Sequence, residues 1–148
     1  MNNVMKVQFS ALEENEAFSR SLVAALVLPL DPTVEELTEI KTAVSEAVSN
    51  SVIHGYKDCK NRHESMVDME CTIADSGKVV IKVTDRGAGI EDISQAMEPL
   101  YTTGDCDERS GMGFTVMESF MDKLKVESEK GVGTTVTMTK FLDTVVDR

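Results

Sequence analysis

The strongest periodic pattern of the chain lies between Thr38 and Tyr56. At the spacing of an α-helix, its apolar side chains fall on one face, as expected for a helix that packs against a sheet. That face consists of Leu37, Ile40, Val44, Ala47 and Val48, with Ser51. Asp31 is the expected N-cap and Pro32 lies in the first turn, so we predict a helix that begins there and ends near Gly55.

Alternation of apolar and polar residues predicts strands elsewhere. These strands are Val4–Phe9, Met66–Ala74, Lys78–Thr84, Leu124–Glu129 and Thr134–Met138. Helical spacing predicts three further helices, at Glu13–Leu28, Ile93–Glu98 and Phe114–Met121. The apolar face of the first of these is expected to carry Phe18, Leu22, Ala25 and Leu26.

The order of these elements predicts the fold class. The helices come in groups between pairs of strands rather than in regular alternation with single strands, which disfavours a doubly wound parallel sheet. We therefore expect an α/β protein of the α+β two-layer sandwich type, with helices on one face of a mixed, mainly antiparallel sheet. Residues 1–148 are predicted to form a single domain, since this length suffices to bury one core.

Composition narrows the functional classes. The formal net charge of -11 disfavours direct nucleic-acid binding, which needs clustered Lys and Arg. No window has the length and apolar character of a membrane span, and the N-terminus lacks the layout of a signal peptide, so we expect no membrane association and a cytoplasmic protein. An odd number of cysteines without metal-ligand spacing fits reduced thiols.

A row of polar side chains flanks the apolar face of the long helix. Glu46, Asn50 and His54 follow one another at intervals of four residues and therefore lie along one side of the helix. The Asn50 oxygen suits a hard cation such as Mg²⁺, and Glu46 could accept a proton from a hydroxyl group. The alternative is a plain polar flank with His54 favoured by the helix dipole.

Three glycine-bearing motifs follow along the chain. Asp85–Gly89 succeeds a strand and could present a carboxylate to a ring amine, or it could be an ordinary strand-exit turn. Gly111–Gly113 precedes a helix, where backbone N–H groups can bind phosphate, or it could be a flexible helix start. Gly131–Thr134 is, by itself, a hairpin turn. No motif has the sequence of a Walker loop, a nucleophile elbow or a zinc site.

The order and spacing of Glu46-xxx-Asn50, Asp85-x-Gly87-x-Gly89, Gly111-x-Gly113 and Gly131-x-Gly133-Thr134 resemble the gyrase/Hsp90/histidine-kinase/MutL (GHKL) ATP-binding superfamily. Within it, the chain is similar to the anti-sigma factors of endospore-forming bacteria that are also serine kinases. The resemblance implies the Bergerat-type ATP-binding fold, with ATP or ADP and Mg²⁺ as ligands.

The resemblance also implies roles for individual residues. Asn50 would ligate Mg²⁺, and Glu46 would be the general base towards a serine hydroxyl. Asp85 would accept from adenine N6. The remaining nucleotide-binding positions would be Gly87, Gly89, Thr102, Thr103, Gly111, Gly113 and Thr134. Arg109 would offset charge on the γ-phosphate from a lid over Pro99–Gly113, and Arg20 would contact a partner.

Three functions remain open from the sequence. The first is an anti-sigma factor that inhibits a sigma factor of RNA polymerase and phosphorylates its anti-anti-sigma protein, as a homodimer. The second is a nucleotide-dependent partner-binding module without kinase activity. The third is an ATPase that drives a dimer clamp, which would need a transducer domain for which 148 residues leave no room. Glu46 favours the first, since a binding module needs no base there.

Overall fold

The computed structural model describes residues 2–56, 65–98 and 113–143. Within these ranges, five strands form one sheet: β1 (Asn2–Ser10), β2 (Met66–Ala74), β3 (Lys78–Asp85), β4 (Lys123–Glu129) and β5 (Gly133–Phe141). The same described residues include four α-helices: α1 (Glu13–Val27), α2 (Val34–Asn50), α3 (Ile93–Ala96) and α4 (Gly113–Phe120). A 3₁₀ turn follows α1 at Leu28–Leu30, and a π-helical turn extends α2 over Ser51–Gly55.

The spatial order of the strands is β1-β2-β3-β5-β4, and each neighbouring pair is antiparallel. The predicted α+β sandwich is therefore confirmed. The expectation of a mixed sheet was too broad, because the five described strands pair only antiparallel. β4 and β5 form a hairpin, and its second strand, β5, is the one that pairs with β3.

One face of the sheet is apolar and carries the helices. Every second side chain of β2 and β3 is buried, and the core side of α2 is buried against them. The buried set includes Val67, Met69, Cys71, Ile73, Val79, Ile81 and Val83 from the strands, with Ile40, Ala43, Val44, Ala47 and Val48 from α2. The predicted apolar face of α2 is thus confirmed. No helix in the described part of the chain is long and apolar enough to span a bilayer.

The start of α2 differs from the prediction. Thr33, not Asp31, is the N-cap: its hydroxyl accepts from Glu36 N at 3.0 Å, and the Glu36 carboxylate accepts from Thr33 N at 2.9 Å. This reciprocal capping box satisfies two backbone donors at once. Glu36 is itself buried and also accepts from Asp143 N at 2.9 Å. Asp31 instead adopts a left-handed conformation, with φ of 55°.

The buried face of α1 is also rotated from the predicted one. Phe18 is 54% exposed and Ala25 is exposed, whereas Ser19, Val23 and Val27 are buried. The small side chain of Ser19 can be buried because its hydroxyl donates to the carbonyl of Glu16 at 2.6 Å. The prediction for Phe18 and Ala25 was therefore wrong, while Leu22 and Leu26 do pack on the core.

The buried thiol of Cys71 gives the fold a testable pH dependence. Burial raises its pKa to about 12 from an ordinary value of 9.0, so the folded chain keeps a proton that the unfolded chain loses above pH 9. Stability therefore falls as pH rises above 9, by at most about 1.4 kcal/mol per pH unit from this group. The free energy of unfolding of Cys71→Val and of the parent chain can be measured in urea from about pH 8 to about pH 10.5. The stability of the variant relative to the parent chain should increase steadily over this range. A difference that stays constant over this range would contradict the assignment.

Candidate functional site

At one end of the sheet, the core face changes from apolar to polar within a single row. Asp85 on β3 lies opposite Thr134 on β5, and Thr134 lies opposite Ser128 on β4. The preceding row on the same strands is Val83, Val136 and Val126. A polar row that continues an apolar one at the edge of a core is a place where a ligand with both characters can bind. We call Asp85, Thr134 and Ser128 the polar row.

Asp85 is the buried charge of this site. It is 5% exposed, and its carboxylate accepts from the Ser51 hydroxyl at 2.8 Å and from Gly87 N at 3.0 Å. Burial raises its pKa, while the hydrogen bonds from Gly87, Ser51 and the backbone of Thr134 act in the opposite direction. Such a carboxylate has acceptor capacity beyond these donors, so a further donor from a ligand would stabilise its charged form.

Close backbone approach explains the glycines around Asp85. A Cβ on Gly87 would collide with the carbonyl oxygen of Gly55, the same oxygen that accepts from Ala88 N at 2.6 Å. A Cβ on Gly55 would lie 3.0 Å from the Asp85 carboxyl carbon. The π-helical turn and the loop after β3 can thus approach each other beside the Asp85 carboxylate, because the residues at the contact, Gly55 and Gly87, have no side chain.

The same loop is fixed to the hairpin between β4 and β5. Gly89 has φ of 74° and packs on the backbone of Glu129, and the carbonyl of Ala88 accepts from Gly131 N at 2.7 Å. Only glycine adopts this backbone conformation without strain at so close a contact. The first and third of the predicted glycine-bearing motifs, Asp85–Gly89 and Gly131–Thr134, are thus brought together.

The polar side of α2 faces the start of α4. A Cβ on Gly113 would lie 3.1 Å from Asn50 Nδ2 and 3.3 Å from Glu46 Oε2, so the first residue of α4 lies against both side chains. Both are partly exposed. Asn50 directly precedes Ser51, which reaches Asp85, so the Glu46–Asn50–Gly113 group and the polar row are neighbouring parts of one site.

Some predicted site residues lie elsewhere or outside the described residues. Thr102, Thr103, Arg109 and Gly111, with most of the predicted lid, lie outside them. Arg20 lies on α1, where its Nε is 3.6 Å from Glu16 Oε1. Glu16 also accepts from the Ser45 hydroxyl, one residue before Glu46. Partly buried His54 lies in the π-helical turn.

Two contributors to the site were not predicted. The sequence pattern puts Ser51 on the apolar face of α2, and the structure shows that its hydroxyl binds Asp85. Ser128 on β4 is predicted only as part of an ordinary strand, yet its hydroxyl joins the polar row to the loop after β3. In both cases the available signal was a serine at a position where the pattern calls for an apolar residue.

Metal-binding chemistry is limited in the described part of the chain. No group of three or more His, Cys, Asp and Glu side chains in residues 2–56, 65–98 and 113–143 could hold a metal ion. Asn50 offers a neutral oxygen beside Glu46, which fits a hard cation that takes its other ligands from a substrate and water.

Comparison with known proteins places these features in a family. Residues 9–140 match the family described as histidine kinase-like ATPase domain. The chain is 54% identical over 144 residues to an anti-sigma F factor of Clostridium beijerinckii, covering 97% of this chain and 98% of that protein. It is 49% identical over 142 residues to an anti-sigma F factor of Priestia megaterium, covering 96% of this chain and 95% of that protein.

Solved structures show the same fold at lower identity. The structure of the RsbU and RsbW domains of a Mycobacterium tuberculosis protein matches with a TM-score of 0.69 at 19% identity, covering 95% of this chain and 32% of that one. A blue-light activated histidine kinase of Erythrobacter litoralis matches with a TM-score of 0.57 at 25% identity, covering 76% of this chain and 32% of that one.

Proposed function

Because the chain belongs to the histidine kinase-like ATPase domain family, and within it to the group of the anti-sigma F factors, we propose that it is an ATP-dependent anti-sigma factor. It binds and inhibits a sigma factor of RNA polymerase, and it phosphorylates a serine of its anti-anti-sigma protein. ATP and ADP are its nucleotides, and Mg²⁺ is the accompanying ion.

The observation that carries this proposal is the adjacency of two groups, the polar row and the Glu46–Asn50–Gly113 group. The base of a purine nucleotide needs a partly apolar pocket with a hydrogen-bond acceptor, and its phosphates need a polar pocket. The Asp85 carboxylate accepts donors at a wall of the core, and the backbone of Gly87 approaches closely there. At the other group, Gly113 opens α4, whose N-terminal N–H groups suit phosphate.

The residues fit the nucleotide and its metal. Asp85 would hold the exocyclic amine of adenine, with Gly89 and Thr134 shaping the base end of the pocket. Asn50 would hold Mg²⁺, which when bound neutralises charge on the phosphates. Thr102, Thr103, Gly111 and Arg109 remain proposed contacts of the nucleotide, with Arg109 offsetting charge on the γ-phosphate.

Glu46 is the proposed general base. Its carboxylate lies at the start of α4, one helical turn before Asn50, and it is partly exposed. A carboxylate in this position can align a serine hydroxyl of a protein substrate and accept its proton as the oxygen attacks phosphorus. The remaining catalysis is positioning, and Asn50 and the amides of α4 contribute to it.

The partner assignment rests on the named relatives and on charge. The relatives are named anti-sigma F factors, and a chain with a net charge of -11 favours basic surfaces on a partner. Arg20 is the proposed contact residue on α1, in a homodimer that works in the cytoplasm. Arg20 pairs with Glu16, and Glu16 in turn accepts from Ser45 on α2, the helix that carries Glu46.

The proposal is tested by mixing the purified chain with γ-labelled ATP, Mg²⁺ and a candidate anti-anti-sigma protein. We expect label on a serine of that protein, at a rate that requires all three components. Formation of a nucleotide-dependent complex without label would instead favour the binding module without kinase activity. If neither label transfer nor nucleotide binding occurs, the proposed function is wrong.

A further inference from the structure

The hydroxyl of Ser128 lies among three polar atoms of three different residues. It accepts from Ile90 N at 2.7 Å, in the loop after β3. It lies 2.9 Å from the carbonyl oxygen of Gly133 and 2.8 Å from the hydroxyl of Thr134. Each distance is that of a hydrogen bond, so the direction of each bond can be worked out from the number of available protons.

A serine hydroxyl has one proton and two acceptor lone pairs. The carbonyl of Gly133 can only accept, so the proton of Ser128 must point to it. Ile90 N can only donate and takes one lone pair of Ser128. The bond between the two hydroxyls can therefore form in one direction only, with Thr134 donating to Ser128. Any other arrangement would leave two oxygens at 2.9 Å without a proton between them.

The direction of this bond fixes what Thr134 can offer a ligand. Since its single proton is given to Ser128, its oxygen can only accept from any other group. Asp85, opposite Thr134 on β3, is likewise an acceptor: its carboxylate takes donors from Ser51 and Gly87. Asp85 and Thr134, which the proposed function places at the base end of the nucleotide site, are thus both acceptors.

We propose that Ser128 is a specificity-determining residue of the nucleotide site, which acts by holding the Thr134 hydroxyl in its acceptor orientation. The base end of the site then favours a purine with an amino group at position 6 and disfavours a purine with an oxo group there. An amino group supplies donors to Asp85 and Thr134. A 6-oxo group has no donor, and its oxygen would lie against the acceptor oxygens of Asp85 and Thr134. This inference rests on the proposed nucleotide site but assigns the discrimination to a residue outside the ligand contacts.

Equilibrium binding of ADP and of inosine diphosphate tests the proposal, because the two nucleotides differ in the group at position 6 of the base. In Ser128→Ala the Thr134 proton is released and can turn towards a 6-oxo group. We expect the preference for ADP over inosine diphosphate to fall by about tenfold, the effect of about one hydrogen bond. Ser128→Thr keeps the hydroxyl and should restore the preference of the parent chain.

The ratio of the two affinities separates this role from a structural one. A loop that is merely loosened by the loss of the Ile90 bond would weaken both nucleotides by the same factor and leave the ratio unchanged. That outcome overturns the inference. Thr135→Val is the matched control, since the hydroxyl of Thr135 pairs with Thr84 at 3.3 Å on the opposite face of the same strand; its ratio should equal that of the parent chain.

A double-mutant cycle shows whether Ser128 acts through Thr134. Thr134→Val should itself lower the ratio, and adding Ser128→Ala to it should change the ratio no further. Thr134→Val also keeps the test open if Ser128→Ala does not fold, because an unchanged ratio in Thr134→Val overturns the inference. Failure of the parent chain to bind ADP would contradict the proposed function instead, so the two failures are distinguishable.

Discussion

Asp85→Asn is expected to weaken ADP binding by about 10- to 100-fold, because it replaces a charged acceptor of the site by a neutral amide. The asparagine has one acceptor oxygen instead of two, and the backbone N–H groups of Gly87 and Thr134 both compete for it. Its amide nitrogen then faces the ligand side or Ser51. If the asparagine amide faces the ligand, its N–H groups point at the amino group of adenine, which is also a donor, and the two amino groups repel each other.

In the nucleotide-free fold the same substitution has two opposing effects on stability: one backbone donor loses its acceptor, and the cost of burying a charged carboxylate is removed. Burial raises the pKa of Asp85 above its ordinary value of 3.8, so the folded chain holds this proton more tightly than the unfolded chain does. The stability from that proton is fully present below the ordinary pKa and is lost as pH rises through the raised pKa. The asparagine side chain of the variant is neutral at all pH values, so the stability of the variant relative to the parent chain should increase as pH rises from about 4 towards neutrality.

Isothermal titration with ADP and urea unfolding without nucleotide measure the two effects separately. Asp68→Asn is the matched control: Asp68 lies on β2 and pairs with Arg86 at 3.4 Å on the outer face of the sheet. It should leave the affinity for ADP within about twofold, since it removes only a partly exposed ion pair. Loss of ADP binding together with a large loss of stability in Asp85→Asn would mean that the carboxylate is structural.

Much of the fold was accessible from the sequence because local pattern and tertiary packing agree. The bounds of β2 coincide with the predicted strand Met66–Ala74, and the apolar face of α2 is the buried one. Both elements pack one face on the core, so a simple period identifies them. The polar side of α2 was also recognisable, since Glu46 and Asn50 interrupt the pattern of a solvent-facing surface.

The N-cap of α2 and the buried face of α1 could not be predicted, because in each case two local arrangements fit the sequence about equally well. Asp31 and Thr33 are both good N-caps, and the reciprocal bond with Glu36 decides for Thr33. On α1, Phe18 fits the apolar period, but the self-satisfied hydroxyl of Ser19 allows the helix to bury a different face. A sequence provides the candidates at such positions without their relative energies.

The partners of Ser51 and Ser128 could not be predicted for a different reason. Ser51 was placed correctly on the sheet-facing side of the helix, but its contact with Asp85 depends on where the helix lies along the strands. Ser128 meets Thr134 within the β4–β5 hairpin, but this pair comes to lie beside Asp85 only because β5 also pairs with β3. Both are long-range consequences of sheet order, which the local pattern does not contain.

Glu46→Gln is expected to reduce phosphoryl transfer to the anti-anti-sigma protein by at least about 100-fold, because the amide cannot accept the proton of the serine hydroxyl. Glutamine keeps the size of the side chain that lies against Gly113, so the start of α4 should not shift. The affinity for ADP should therefore stay within about twofold of the parent chain, as expected for a group that acts only on the attacking hydroxyl. Single-turnover transfer of label, measured with the enzyme in excess, separates this effect from slow product release.

Glu35→Gln is the matched control for this experiment, since Glu35 is an exposed carboxylate in the first turn of the same helix. It removes the same charge from α2 and should transfer label at the parent rate. Transfer by Glu46→Gln at the parent rate would remove Glu46 from the role of base. Loss of ADP affinity in Glu46→Gln would make it a part of the nucleotide site. We therefore expect Glu46 to be needed for phosphoryl transfer but not for nucleotide binding. The physical reason is its position: Glu46 lies beside Asn50, near the proposed phosphate end of the site, and not in the polar row that would hold the base.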